Sequence, residues 1–454
     1  MYKIKITGLK LQVLLSSCMY LGQLLVGFTI SWSGPMIPKL QDVKHSPIPN
    51  VLTDTQASLI ASLIYIGCIP GPYIVGWLSN MKGRRPCFVL GGVIGTIGYL
   101  LLATTRTLVL LYIGRLMTGV GIGCIFLMIL VYTGEIASTN IRGVLLTLIG
   151  LFTTIGSIVL FSAASFLSYN ATSYLGFILF ATFTLCAFML PESPMYHVLK
   201  ENDNAVEKIL RDLDRLEDLE KFISSKKDYK TISSKKDWED LFTIKSNRKA
   251  LFRVMSINIL QHCSGVMAVV FFSSTIFEIA ESKIEGNTAM IIIGGCQLLG
   301  SGFTPFVIEK VGRKPILMIS CVICSITMLM MGIYFYLLDV ENSAVGNMKW
   351  LPLGLLILFF IGYDLGLGII PNVLVGEMFT PNVRSNGSSL ALTTSWISGF
   401  LITTAFGAVV NKIGAFYPFW FFSFTSAITF FFTIFFVPET KGKNLLDIQK
   451  DLQG

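Results

Sequence analysis

Long, almost unbroken apolar runs separated by short polar punctuation are the chain's first regularity. They fall near 11–34, 56–78, 86–104, 108–133, 143–168, 173–190, 252–280, 288–308, 315–338, 351–376, 385–410 and 417–437, twelve in all. Crossing a bilayer as a helix takes about 20 predominantly apolar residues, and each run is of that order. A membrane β-barrel needs segments of about ten residues that alternate apolar with polar. These runs are apolar on every side, which rejects the barrel. The expectation is an all-α membrane protein with twelve transmembrane helices. The first run continues straight into the spanning pattern and lacks a small-residue cleavage site, so it reads as the first span and not as a signal peptide.

The punctuation repeats. "GWLSNMKGRRP" (76–86) returns as "VIEKVGRKP" (307–315), with Gly83 and Gly312 229 residues apart. "GEIASTNIR" returns as "GEMFTPNVR" at an offset of 242, and "PESP" (191–194) returns as "PETKG" (438–442) at an offset of 247. Several recurrences in register imply an internal duplication. The chain reads as two six-helix, pseudo-symmetric halves arranged as the parallel repeats of a transporter. The expected division is 1–196 for the first half, 197–249 for a linker, 250–440 for the second half and 441–454 for a tail. Within the linker, Val206, Ile209, Leu210, Leu213, Leu216, Leu219 and Phe222 recur at three- and four-residue spacing, which predicts an amphipathic cytoplasmic helix or helices. Their role is either a cover packed on the inner face of the bundle or a regulatory, membrane-surface element.

Composition agrees. Hydrophobic residues make up 53% and charged residues 14%, with a mean hydropathy of +0.69, which excludes an ordinary soluble enzyme. The net charge of +8 raises the question of nucleic acid, but the Lys and Arg residues cluster in loops on alternate sides of successive spans. The positive-inside rule accounts for them, puts both termini in the cytoplasm and leaves no nucleic-acid partner. The nine cysteines lie almost entirely in the runs, where they act as small buried hydrophobes and not as a disulfide framework. Cys321 and Cys324 have CxxC spacing inside an apolar helix, a weak signal for metal or thiol chemistry. No nucleophile–base set, metal-ligand cluster or nucleotide motif stands out, so neither an enzyme nor a cofactor is expected. Gly119, Gly121 and Gly123 follow no strand and read as close helix packing.

In order along nearly the whole chain stand "GWLSNMKGRRP", "GRLMTGVGIG" (114–123), "YTGEIASTNIRG" (132–143), "PESP", "QHCSGVMAVVFFSSTIF" (261–277), "EKVGRKP" (309–315), "GEMFTPNVR" (376–384) and "VPETKG" (437–442). This set resembles the sugar porter family of the major facilitator superfamily. The short N-terminus and "SWSGPMIPKL" after the first span are similar to insect facilitated trehalose or hexose transporters.

The resemblance implies that Arg84, Arg85, Arg115, Glu135 and Arg142 face Glu309, Arg313, Lys314, Glu377 and Arg384 across the cytoplasmic entrance as a gate. The alternative for such charges is orientation of the chain alone; an intramembrane charge without a partner is costly. Asn80 stands where the family usually has Asp. The resemblance also implies substrate contact at Gln261, Gln297 and Trp396, with Phe271 and Phe272 on the outer side. Amides suit paired hydrogen bonds to sugar hydroxyls, and an aromatic suits a sugar face. Interhelical bonding for the amides and core packing for Trp396 are the competing uses.

Several expected site positions depart from the family. His262 replaces a Gln, Met267 an Asn and Asn372 a Trp, while Gly150 stands where an amide is usual and Leu130 replaces a Pro before Tyr132. The solute is then larger, less polar or differently oriented than glucose. His262 is open between hydroxyl binding, proton transfer and core packing. Asn170-Ala171-Thr172 is a glycosylation sequon in the short extracellular loop expected after the fifth span.

The expected function is facilitative transport of trehalose or a hexose across the plasma membrane by alternating access, with a small sugar and membrane lipids as partners and no obligatory protein partner. The alternatives are a uniporter or proton symporter for another polyol-like solute, and a non-transporting sugar receptor. Thr29 occupies the position after "GF" where proton-coupled members carry Asp, which favours passive transport. His262 and Asp364 are the groups that remain for proton coupling.

Overall fold

A computed structural model of the protein describes residues 8–42, 46–49, 52–219, 235–301, 310–342, 345–346, 348–379 and 383–439. Among them the regular structure is entirely helical. In the first half, α1 (Leu9–Ser31) and α2 (Ser33–Gln41) make the first span, and α3 (Asp54–Cys68) and α4 (Pro70–Lys82) the second. The next four spans are α5 (Arg84–Thr104), α6 (Leu108–Ile136), α7 (Thr139–Phe166) and α8 (Tyr169–Met189). The linker contributes α9 (Pro194–Leu199), α10 (Asp203–Asp212), a 3-10 turn at Leu216–Asp218 and α11 (Lys235–Thr243).

In the second half the seventh span is α12 (Lys245–Cys263), α13 (Val266–Phe271) and α14 (Ser273–Ile279), and the eighth is α15 (Gly286–Ser301). Then come α16 (Arg313–Asp339), the paired α17 (Leu351–Leu365) and α18 (Ile370–Met378), α19 (Arg384–Lys412) and α20 (Phe416–Phe436). Among the described residues eleven stretches are long and apolar enough to cross a membrane, and the eighth run contributes the shorter apolar helix Gly286–Leu299. The remainder of that run, like the tail 441–454 and Phe222, lies outside the described residues.

Interruptions sit where backbone chemistry demands them. Pro70 begins α4, because proline lacks the N–H that would extend the ladder from α3. The seventh span turns at Gly265, whose φ of 86° is open to glycine and strained for other residues. The tenth span unwinds over 366–369 before Pro371 restarts it in the first turn of α18.

The repeated Gly-Arg turns have a shared architecture. Gly83 and Gly312 adopt φ of 99° and 109°, each just ahead of a new helix. The exposed N–H groups of that helix are then met by a carboxylate from the other end of the same half. Glu192 of "PESP" accepts from the Arg84 N–H at 2.6 Å and from the Arg85 N–H at 3.3 Å. Glu439 of "PETKG" accepts from the Arg313 and Lys314 N–H groups at 3.1 and 3.0 Å. A carboxylate suits this place because a helix N-terminus carries unpaired donors and partial positive charge.

The end of the bundle that holds both turns is also the linker end. Val206 and Leu210 of α10 form a small separate core with Met195 and Val198 of α9. Gln12 of α1 clips this layer down, donating to the Leu213 carbonyl at 2.8 Å and accepting from the Ser138 N–H at 3.0 Å. Arg215 donates to the Glu135 carbonyl at 2.7 Å, at the last turn of α6.

Within the first half, α1 and α7 lie so close that a Cβ at Gly27 would strike the Thr153 carbonyl and one at Gly156 the Leu24 carbonyl. Hydroxyls flank this contact: Gln23 donates to Thr153 Oγ1 and Ser31 to Ser157 Oγ, both at 2.7 Å. The halves meet along two seams, α3 with α19 and α7 with α15, and α2 packs on α13 and α14. At the end opposite the linker the seam is tight: Gly34 abuts the Val270 carbonyl and Gly407 abuts Ser58. A residual cavity of about 30 Å³ there, lined by Ile37, Asp54, Phe272 and Phe406 among others, has room for water and none for a sugar ring.

One boundary differs from the sequence reading. α8 begins at Tyr169, so only Leu167 and Ser168 separate it from α7. The Ser168 hydroxyl caps the new helix by accepting from the Ala171 N–H at 3.4 Å. Asn170 is therefore in a helical first turn and not in a loop; it is exposed and donates to the Ala103 carbonyl at 3.3 Å, while Thr172 of the sequon is fully buried.

Replacing Glu192 or Glu439 by Ala strands two helix donors in each case, so each variant is expected to lose about 1–3 kcal/mol. The sites lie in different halves, so the double variant is expected to lose the sum. Thermal unfolding of the detergent-solubilised proteins measures this, and a wild-type midpoint in either single variant would contradict the clamp.

Candidate functional site

The charged residues divide between the two ends of the first half. Arg84 forks onto Glu135 at the linker end, with Nε to Oε2 at 3.0 Å and Nη2 to Oε1 at 2.7 Å. Arg84 also donates to the Ser79 carbonyl at 3.2 Å, and both partners of the pair are buried. Arg85 projects an exposed side chain. In the second half Lys314 donates to the Ile434 carbonyl at 2.7 Å, and the Arg313 backbone joins the Glu439 clamp. The side chains of Asn80, Arg142, Glu377 and Arg384, and all of Glu309, lie outside the described residues.

Arg115 departs from the expectation that it faces the second half with these groups. It stands 20 residues before Glu135 on the same helix, about 30 Å along the axis at 1.5 Å per residue, which carries it toward the opposite end. Arg115 is fully buried there. It donates to the carbonyls of Ile60 at 3.1 Å, Thr29 at 3.3 Å and Ala61 at 3.4 Å, and to Ser33 Oγ at 2.9 Å. Its guanidinium also sits 4.9 Å from the centre of the Trp32 ring. Every one of these groups is neutral and belongs to the first half. Thr29, whose carbonyl serves Arg115, accepts at its hydroxyl from Tyr99 at 3.2 Å.

The central polar groups gather around the break between α17 and α18. Unwinding leaves carbonyls and N–H groups without helical partners, and in a dry interior these must be met by side chains. Gln261 donates to the Leu367 carbonyl at 2.7 Å and to the Tyr363 hydroxyl at 3.2 Å. From the other side Ser320 accepts from the Leu367 N–H at 3.0 Å and donates to the Gly362 carbonyl at 2.7 Å. Next to Tyr363, Asp364 accepts from Gln297 at 2.8 Å. Polar pairs thus link α12 to α17 at Tyr363 and α15 to α17 at Asp364.

His262, one residue after Gln261, pairs through Nε2 with Ser395 Oγ at 2.8 Å, directly before the partly buried Trp396. Phe271 is fully buried and its ring lies 5.8 Å from that of Tyr65 across the seam. Met267 is partly buried and Asn372 is exposed on α18. Gly150 of α7 has open space where a side chain would be. Gln261 and Gln297 thus meet adjacent residues of α17, Tyr363 and Asp364, while His262 pairs separately with Ser395 on α19. The sequence reading has the amides and misses Tyr363, Ser320 and Ser395, since hydroxyls inside apolar runs carry no spacing signal of their own.

A family model described as "Sugar (and other) transporter" matches residues 15–452. The chain belongs to this family. Among its relatives, the facilitated trehalose transporter Tret1 of Aedes aegypti is 30% identical over 98% of the chain, which spans 55% of that protein's length. The Culex quinquefasciatus protein of the same name is 29% identical over 98% of the chain, which spans 86% of its length. Among solved structures, the inward-open xylose transporter XylE from E. coli superposes with a TM-score of 0.79 at 19% identity, covering 97% of this chain and 99% of XylE. The fold is therefore that of XylE, two bundles of six helices.

For a member of this family the neutral cage around Arg115 is a structural demand on the first half. Arg115→Leu would strand three carbonyls and the Ser33 hydroxyl in the interior, with an expected loss of about 1–3 kcal/mol or more. Arg115→Lys keeps the charge but cannot fork and is expected to fall between. Fluorescence-detected thermal unfolding after solubilisation reads this order, and an Arg115→Leu protein as stable as wild type would overturn it.

Proposed function

We propose that the chain carries trehalose or a hexose across the plasma membrane by alternating access, passively. The observation that carries this reading is the pair of polar contacts Gln261–Tyr363 and Gln297–Asp364 at a helix break in the second half, with the two halves packed tightly at the end away from the linker. A sugar needs neutral donors and acceptors in a largely apolar setting. Relatives named facilitated trehalose transporters along 98% of the chain support the substrate class. On this reading the linker end is cytoplasmic, both termini are inside, the lipid bilayer is the surrounding solvent, and the four units divide at 196, 249 and 440.

The Arg84–Glu135 pair, with Arg85 beside it, is the first half's share of the cytoplasmic gate. Arg142, Arg313, Lys314, Glu309, Glu377 and Arg384 complete it when the halves close on that side. Arg115 belongs instead to the outer end of the first half.

Thr29, standing where proton-coupled members of the family carry a carboxylate, supports passive transport. Arg115 touches only neutral groups, with Thr29 in the place where a carboxylate would be required to hand a proton to and from the cavity. Asp364, which accepts from Gln297, and His262 are the groups on which a proton-coupled alternative would rest.

Uptake of labelled trehalose and glucose by expressing cells, with and without an inward proton gradient, tests the reading. Equilibration to the external level, unchanged by a protonophore, is expected; accumulation above that level that the protonophore abolishes would refute passive transport. On the same cells, an epitope inserted within 197–249 is expected to bind antibody only after permeabilisation. Labelling of intact cells would reverse the topology.

A further inference from the structure

Three side chains at the α3–α19 seam end in buried polar atoms without a partner: the Tyr65 hydroxyl on α3, His262 Nδ1 on α12 and the Thr403 hydroxyl on α19. They are neighbours. The Tyr65 and His262 rings meet edge-on with centroids 5.7 Å apart. Thr403 faces the Tyr65 hydroxyl without reaching hydrogen-bond geometry. Gly399, one turn before Thr403, lets both rings press against α19, since a Cβ there would lie 2.7 Å from the Tyr65 ring and 3.1 Å from His262 Nδ1.

Buried polar atoms are nearly always paired, and a cluster of three that is not paired points to a missing partner. The chemistry of that partner is restricted. With the ring proton on Nε2, donated to Ser395 Oγ, His262 Nδ1 is an acceptor, while Tyr65 and Thr403 each have an O–H to give. An alcohol oxygen offers one donor and two acceptor lone pairs, which meets all three atoms at once. In that tautomer of His262 a carboxylate has nothing to donate to Nδ1, and in either tautomer an ammonium cannot accept from the two hydroxyls.

We propose that Tyr65, His262 and Thr403 form a subsite for one hydroxyl of the carried sugar, built from both halves. Tyr65 comes from the first half, and His262 and Thr403 from the second. The three converge only while the halves are closed at the end away from the linker. A hydroxyl lodged among them stabilises that closure and is released from Tyr65 when the halves part, so substrate itself biases the conformational equilibrium. Tyr65 and Thr403 join the site through this seam and not through the break in the tenth span. The proposal rests on the sugar-transport reading.

The test uses the full chain in proteoliposomes, comparing trehalose and glucose with their monodeoxy analogues in the wild type, Tyr65→Phe, Thr403→Val and the double variant. In the wild type one deoxy analogue is expected to lose about tenfold or more in affinity relative to its parent sugar. In the double variant the parent is expected to weaken to a similar degree, and that one analogue to be no worse than the parent. A merely structural role cannot produce this analogue-specific levelling. Variants that weaken parent and analogues equally would mean that only water fills the subsite and would overturn the proposal, as would unchanged affinity for the parent. If Tyr65→Phe does not reach the membrane, Thr403→Val alone carries the same comparison. A wild type that carries neither sugar refutes the transport reading, whereas sugar transport without analogue-specific levelling refutes the subsite alone.

Discussion

A glutamate seated on the first turn of a helix organises each half of this protein. The donors at a helix start have no partner within the helix, and in a membrane protein they cannot be left for lipid to meet. Glu192 and Glu439 solve the same problem at equivalent places, binding the last helix of a half to its third. This closes each six-helix bundle at the linker end. The Gly-Arg turn supplies the tight reversal, and the Arg84 side chain is then free to reach Glu135 while its backbone is held.

From these anchored ends the bundles can afford irregularity at the centre. The tenth span unwinds for four residues, and Gln261 and Ser320 take up the released backbone groups. Side chains recruited for this purpose are polar by necessity, which places hydroxyls and amides in an otherwise apolar core. On the proposed function, a structural requirement of the broken helix and a chemical requirement of a sugar fall on the same residues. Gln261 is committed to the Leu367 carbonyl and Gln297 to Asp364; on the proposed function the same amides also meet the solute.

Much of the architecture is legible in the sequence because it is written in long-period features. Runs of bilayer length mark the spans, and motifs recurring at offsets of 229, 242 and 247 mark the halves. Polar partnerships are a different matter. The repetition of "PESP" and "PETKG" announces that the glutamates matter without saying that their partners are backbone N–H groups 107 and more residues away. Arg115 is grouped with the gate by motif membership, although the 20 residues between it and Glu135 already separate them by the depth of a membrane. Asn170 reads as a loop residue because apolar periodicity begins later than the helix that Ser168 caps. Side chains around the centre are harder still, since an isolated Tyr, Ser or Thr in an apolar run is indistinguishable from packing until the helices are assembled.

The backbone contact between α1 and α7 has a consequence for how such a protein can diversify. Gly27 and Gly156 bring two helices to within touching distance of each other's carbonyls, which fuses the first half into a unit that tolerates little substitution. The second span meets α19 through hydroxyl pairs, Ser62 of α3 with Thr404 and Tyr73 of α4 with Thr393, each weak and separately replaceable. Mutational drift is thereby channelled: descendants of this chain can acquire new turnover rates and new solutes through exchanges along the seam, generation after generation, while the bundles on either side are inherited intact.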